Sequence, residues 1–168
     1  MTGIIEYTRL TRLVYMRVSM KVDYGVRAVV DLAQHHGHGP TSSSTVATRQ
    51  GIPEQYLNQL LALLNRSGIV KSKRGPHGGH MLALSPNDIT LTMVMNTLEQ
   101  QVAPLDCLHN PSDCDLSPAC AQREMWRSVE EAFDSVLDST TIGYLARRQR
   151  ELSIAKMPLV QVQGLAQL

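Results

Sequence analysis

All three cysteines of the chain fall in one short segment, "CLHNPSDCDLSPAC", at Cys107, Cys114 and Cys120. Thiolates are soft ligands suited to zinc and to iron-sulfur clusters. An odd count without a secretory signal argues against a disulfide framework and for a reducing compartment. Structural zinc sites usually pair ligands about two to four residues apart on a tight knuckle. Here six residues separate the first two cysteines and five the second two, and Pro104, Pro111 and Pro118 break the segment into a loop. That spacing can wrap something larger than one ion. An iron-sulfur cluster, 4Fe-4S or 2Fe-2S, fits because each iron takes a terminal ligand while bridging sulfides hold the irons apart. Three thiolates leave a fourth position open, and His109 inside the loop is one candidate for it. Direct thiol oxidation, bound zinc and three unrelated free thiols are the other readings.

A redox protein or metalloenzyme using the same thiols is the competing class. Clustered carboxylates, a nucleophile with its base and a phosphate-cradling loop are all missing, since "RGPHGGH" follows a strand pattern without opening a helix. The expectation is therefore a protein that is not an enzyme.

The elements that must position this loop are mostly helical. One Phe, one Trp and five Tyr stand against abundant Leu, Val, Ala and Met in 168 residues, which favours a mainly α fold around one core. From Ser19 to Gln34, Val22, Val26, Val29, Val30 and Ala33 mark one buried helix face, which ends at "HHGHGP". A short helix fits "SSSTVATRQ", opened by serines and closed by Gly51. In "IPEQYLNQLLALLNRSG", Pro53 suits the first turn, Leu57, Leu60, Leu61 and Leu64 form a stripe, and Gly68 supplies the stop. Two helices around a tight turn make a helix-turn-helix candidate. "IVKSKRG" and "HMLALS" then pair as strands about a Gly-rich turn, and a helix-turn-helix followed by a basic hairpin is a winged helix.

This arrangement assigns roles on double-stranded DNA. Gln55, Asn58 and Gln59 lie opposite the leucines, where amides reach base edges, and Tyr56 touches backbone or packs. The wing carries Lys71, Lys73, Arg74, His77 and His80 with no acid nearby, of which Lys73, Arg74 and His77 are placed on phosphate or in the minor groove. Charge is split accordingly. Between Leu32 and Asn87 the only acid is Glu54, whereas from Asp88 to Glu151 eleven acids face five arginines. A polyanion-binding half is joined to a half that does something else. Past the wing, "ITLTMVMNTLEQ" reads as a helix and "CAQREMWRSVEEAFDSVLDS" as a long one, with Met125, Val129, Phe133, Val136 and Leu137 on one stripe. Reading a two-fold operator takes two heads, so that stripe is expected to be the seam of a homodimer. "MTGIIEYTRLTRLVYM" holds no uninterrupted apolar run, which argues against a signal peptide or membrane anchor and for a cytoplasmic protein without membrane partners.

"MRVSMKVDYGVRAVVDLA", "ATRQGIPEQYLNQLLALLNRSGIVKSKRGPHGGHMLAL", the three cysteines, Trp126 and "STTIGYL" occur in an order that resembles the Rrf-type family of bacterial winged-helix regulators, over about residues 16–150. The resemblance implies that Met16 is the natural start and 1–15 an extension. It implies a winged helix-turn-helix domain over 16–86 and a connector helix with cluster loop over 87–121. A dimerisation helix and C-terminal helix over 122–155 and a tail over 156–168 complete the division. It also implies that Cys107, Cys114 and Cys120 are cluster ligands. In that family the fourth ligand is a histidine three residues after the last cysteine or an acid near the start of the partner subunit's first helix. Position 123 is Arg, whereas Asp23 in "VDYG" matches the acid, so the NsrR-like subgroup is the closer one. The function so implied is a transcriptional regulator, expected to be a repressor, answering to nitric oxide, redox or iron and cluster status.

Overall fold

Ser19 sets where the first helix begins. Its hydroxyl accepts from the Val22 amide at 3.3 Å and so satisfies one of the free N–H groups of α1, Met20–Gln34. The computed structural model describes residues 18–99 and 105–155, so the N-terminal extension and the tail lie outside the described residues. Helix α1 is contacted by α2, α3, the wing, α4 and α7. That crowding moves its buried face. Val22, Val29 and Ala33 are buried as the spacing predicts, but Val26 and Val30 are only partly so, and Gly25 and Ala28 take the interior places. A Cβ on Gly25 would stand 2.1 Å from Leu98 Cδ1, so the bare glycine is what lets α4 approach.

The helix-turn-helix follows from its caps. Ser42 accepts from the Thr45 amide at 3.1 Å to open α2, Ser43–Gln50, and Gly51 closes it with φ +61°. Pro53 stands at the cap of α3, Glu54–Arg66, one place earlier than the first-turn position expected of it. Leu57, Leu60, Leu61 and Leu64 are all buried, each contributing about 1.5–3 kcal/mol relative to exposure. The Ile69 amide donates to the Leu64 carbonyl at 3.0 Å, turning the chain from α3 directly into the wing.

Strands β1, Val70–Lys73, and β2, Gly79–Leu82, pair antiparallel with Val70 opposite Leu82 and Lys73 opposite Gly79. A third segment beside β2, not anticipated from sequence, is Thr41, which exchanges both backbone bonds with His80 at 2.9 and 2.8 Å. Gly79 permits it: φ is +150°, and a Cβ would sit 2.4 Å from the Thr41 carbonyl oxygen.

Helix α4, Leu91–Leu98, leads to the cysteine segment. That segment is less irregular than expected. It holds one turn of helix, α5, Asp106–His109, and two 3-10 turns at Pro111–Asp113 and Ser117–Ala119, before α6, Ala121–Ser139, and α7, Ile142–Ala155. The corner between α6 and α7 is sewn to the start of α4 by Leu91 N–H to Thr140 O and Ile142 N–H to Ile89 O, each 2.8 Å. Ile142 and Ala146 enter the core with α1 to α4. Of the α6 stripe only Leu137 is buried; Phe133 is half-buried, and Met125, Val129 and Val136 are exposed. No helix among the described residues is long and apolar enough to cross a membrane.

Candidate functional site

The face expected to read DNA is carried by α3. Gln55, Asn58 and Gln59 are all exposed on the side away from the buried leucines. Tyr56 is half-buried and packs edge-on against Tyr24, with centroids 6.0 Å apart, so its ring belongs to the joint between α1 and α3. Asn65 Nδ2 donates to the Val70 carbonyl at 3.1 Å and fixes the wing to the end of α3. Lys71, Lys73, Arg74 and His77 are exposed on that wing. His80 differs from the other four. Its Nδ1 lies 3.0 Å from Ser72 Oγ, and burial holds its pKa below the ordinary 6.5. His80 is thus a neutral strand residue at neutral pH and not one of the wing's basic groups.

Sequence reasoning missed the device that orients this head. Asp31 is 1% exposed on α1 and accepts from Arg49 Nη2 at 2.6 Å and Gln50 Nε2 at 3.0 Å, both on α2. Arg27 Nη2 donates to the Gln50 carbonyl. His35 lies 2.8 Å from the Asp31 carbonyl by Nδ1 and 3.0 Å from Arg49 Nη1 by Nε2. Arginine only donates, so Nε2 accepts and Nδ1 carries the proton in this arrangement. Arg49, a cation of the acid-poor stretch between Leu32 and Asn87, is committed to a buried carboxylate. The signal was an acid between Val30 and Leu32 on the apolar helix, which has to find a partner.

The three cysteines are free and half-buried. Cys107 lies in α5, Cys114 follows the first 3-10 turn, and Cys120 caps α6 by its backbone, without a side-chain capping bond. Two contacts clamp the loop to α6. Arg123 Nε donates to the Cys107 carbonyl at 2.9 Å, and His109 Nε2 lies 3.2 Å from Glu130 Oε1. Arg123 therefore holds the Cys107 turn in place from the position where the related subgroup keeps its histidine, and His109 is engaged with a carboxylate. Asp23, in the first turn of α1, pairs with Arg27 at 3.5 Å. Among the described residues no three His, Cys, Asp or Glu side chains converge on one metal position, so neither the three thiols by themselves nor the thiols with Asp23 form a single-ion site within one chain.

The loop also inverts the usual order of exposure. Leu116 is 73% exposed, whereas the neighbouring Ser117 is 6% exposed and its hydroxyl has no hydrogen-bond partner among the described residues. An unpaired buried hydroxyl costs about 1–3 kcal/mol. Three free thiols and an unused O–H donor on the same loop suit a sulfide-bridged cluster, whose sulfurs accept hydrogen bonds.

Comparison with known proteins adds to this geometry. The Rrf2 family model, described as an iron-dependent transcriptional regulator, matches residues 18–148. CymR of Bacillus subtilis (strain 168) is 39% identical over 131 residues, 78% of this chain and 90% of that protein. The solved structure of CymR, described as the global cysteine regulator of B. subtilis, superposes with a TM-score of 0.70 at 36% identity, covering 80% of this chain and 98% of the other. IscR of Aliivibrio salmonicida is 35% identical over 130 residues, 77% of each chain. The structure of T. potens IscR matches with a TM-score of 0.67 at 36% identity, covering 86% of this chain and 94% of that one.

Proposed function

The chain belongs to the Rrf2 family of DNA-binding transcriptional regulators, and from that premise we propose that it is a homodimeric repressor whose hold on a two-fold operator depends on an iron-sulfur cluster. Cys107, Cys114 and Cys120 are the cluster ligands in this reading, and Asp23 of the partner subunit is the fourth. When bound, the cluster supplies a group that signal molecules or iron shortage can alter. This chain's residues do the rest: Gln55, Asn58 and Gln59 read base edges, and Lys73, Arg74 and His77 position the wing on the backbone. The protein works in the cytoplasm, where its DNA is.

One observation carries the proposal. The thiol loop is clamped by Arg123 and Glu130 to α6, the helix whose apolar residues Met125, Val129 and Val136 are exposed. An exposed stripe on a helix outside the core calls for a partner, and a second copy pairing along α6 sets the distance between two reading heads. Cluster and dimer geometry thereby share one element, so a change at the thiols alters half-site spacing. Asp23 suits the cross-subunit role because its pairing with Arg27 is surface-exposed and replaceable.

Similarity to CymR, a cysteine regulator, favours a second reading in which the same fold senses through direct thiol oxidation or zinc. Anaerobic purification separates the two. A brown protein with visible absorption and stoichiometric iron and sulfide, lost in the Ala variants of Cys107, Cys114 and Cys120 while the dimer stays folded, supports the cluster. Colourless protein with zinc or no metal supports the second reading.

A further inference from the structure

We propose that the Ser117 hydroxyl is part of the cluster site, donating its hydrogen bond to a sulfur of the bound cluster and slowing cluster loss. The inference rests on the cluster reading above and deepens it. Ser117 lies three residues after Cys114 and three before Cys120. Its amide donates to the Cys114 carbonyl at 3.0 Å, which places it on the turn leaving one ligand, while the Ala119 amide closes the next turn onto the Leu116 carbonyl at 3.1 Å. These paired turns hold the serine inward and the leucine outward, the reverse of what polarity alone dictates. Within the chain the inward hydroxyl gains nothing, because no acceptor meets it among the described residues.

A bridging or terminal sulfur carries negative charge and accepts hydrogen bonds, and such bonds set cluster potential and lability. Thiolates on either side of Ser117 would bring cluster sulfur to the region where its O–H has no other use. Serine has the right chemistry for such a donor. It is small, its O–H rotates to meet the acceptor, and it does not compete with thiolate for iron.

The test compares full-length wild type with Ser117→Ala after anaerobic cluster loading. The variant is expected to release iron to a ferrous chelator several-fold faster and to have a lower midpoint potential, since hydrogen bonds to sulfur favour the reduced cluster. Failure to retain any cluster on an intact apo fold is the extreme of the same effect. The apo variant should melt no lower than the apo wild type, because only an unpaired hydroxyl has been removed. Equal release rates and potentials in the two loaded proteins overturn the assignment. So does an apo variant that melts below apo wild type, which reveals a structural partner for the hydroxyl. Wild type that binds no iron and sulfide overturns the cluster reading itself, an outcome seen before any variant is made.

Discussion

The reading head and the thiol arm are built to different degrees of completion. In the head, α1 to α3 bury their apolar faces against one another, and the buried carboxylate of Asp31 meets Arg49 and Gln50. In the arm, α6 buries only Leu137, and Met125, Val129 and Val136 stand exposed. Three thiols there are free, and the Ser117 hydroxyl is unpaired among the described residues. The region that satisfies its own groups is suited to be a rigid platform for the proposed reading face. The region that leaves apolar side chains and thiols unpaired is where, on the proposed function, a partner and a cofactor would act, and the Arg123 bond to the Cys107 carbonyl would tie those two needs together.

The largest effect expected on this contrast is in the head. Asp31→Ala leaves Arg49 and Gln50 without their buried acceptor and should lower stability by about 2–3 kcal/mol, read from urea unfolding. A loss under about 1 kcal/mol would mean that the head is not held by this pair. In the arm, Val129→Asp should convert dimer to monomer in sedimentation with the helical spectrum retained, because the side chain is already exposed in the single chain. Loss of helix instead would show that α6 belongs to the core and erase the distinction.

Smaller effects divide the head itself. Asn58→Ala should cost roughly 1–3 kcal/mol on the specific site and relax preference at one position, whereas Arg74→Ala should weaken binding to all DNA and lower the salt slope by about one. Equal losses on specific and random duplexes for both variants would collapse the division between helix and wing. The smallest effect concerns His80. Its pKa in the fold lies below 6.5, so well above pH 6.5 it is neutral in folded and unfolded chains and its contribution is complete. As pH falls below 6.5 the unfolded chain takes up the proton first, and stability is lost through the folded value. Between about pH 7.5 and 5.5 the melting temperature of wild type should therefore drop slightly more than that of His80→Gln. Identical slopes would show that the histidine is not buried in solution.

What was legible in the sequence was local. The leucine stripe of α3, the serine caps and the Gly51 and Gly68 stops each act within a few residues of themselves, so the helix-turn-helix and wing follow from spacing. Contacts across long separations were hidden. Thr41 joins β2 through backbone bonds that leave no mark on side-chain pattern, and the Asp31 pair needs α2 folded onto α1 before it exists. Val26 and Val30 fit the apolar period, yet the glycine and alanine beside them took the interior because helices crowd α1 from several sides. His80 counted as basic until its strand turned it inward. The cysteine segment was legible as a group of three neighbouring thiols, but its clamps, Arg123 and Glu130, lie on the following helix and meet it only in the fold.

Whether the thiols govern DNA binding through an iron-sulfur cluster comes down to one titration. An operator duplex selected from random DNA is titrated with anaerobic protein of known iron and sulfide content, and again after the iron has been chelated. The expected result is a brown protein whose specific affinity falls at least about tenfold on iron removal, while its weak binding to random duplex is unchanged. Colourless protein, or brown protein with the same specific affinity before and after chelation, contradicts it.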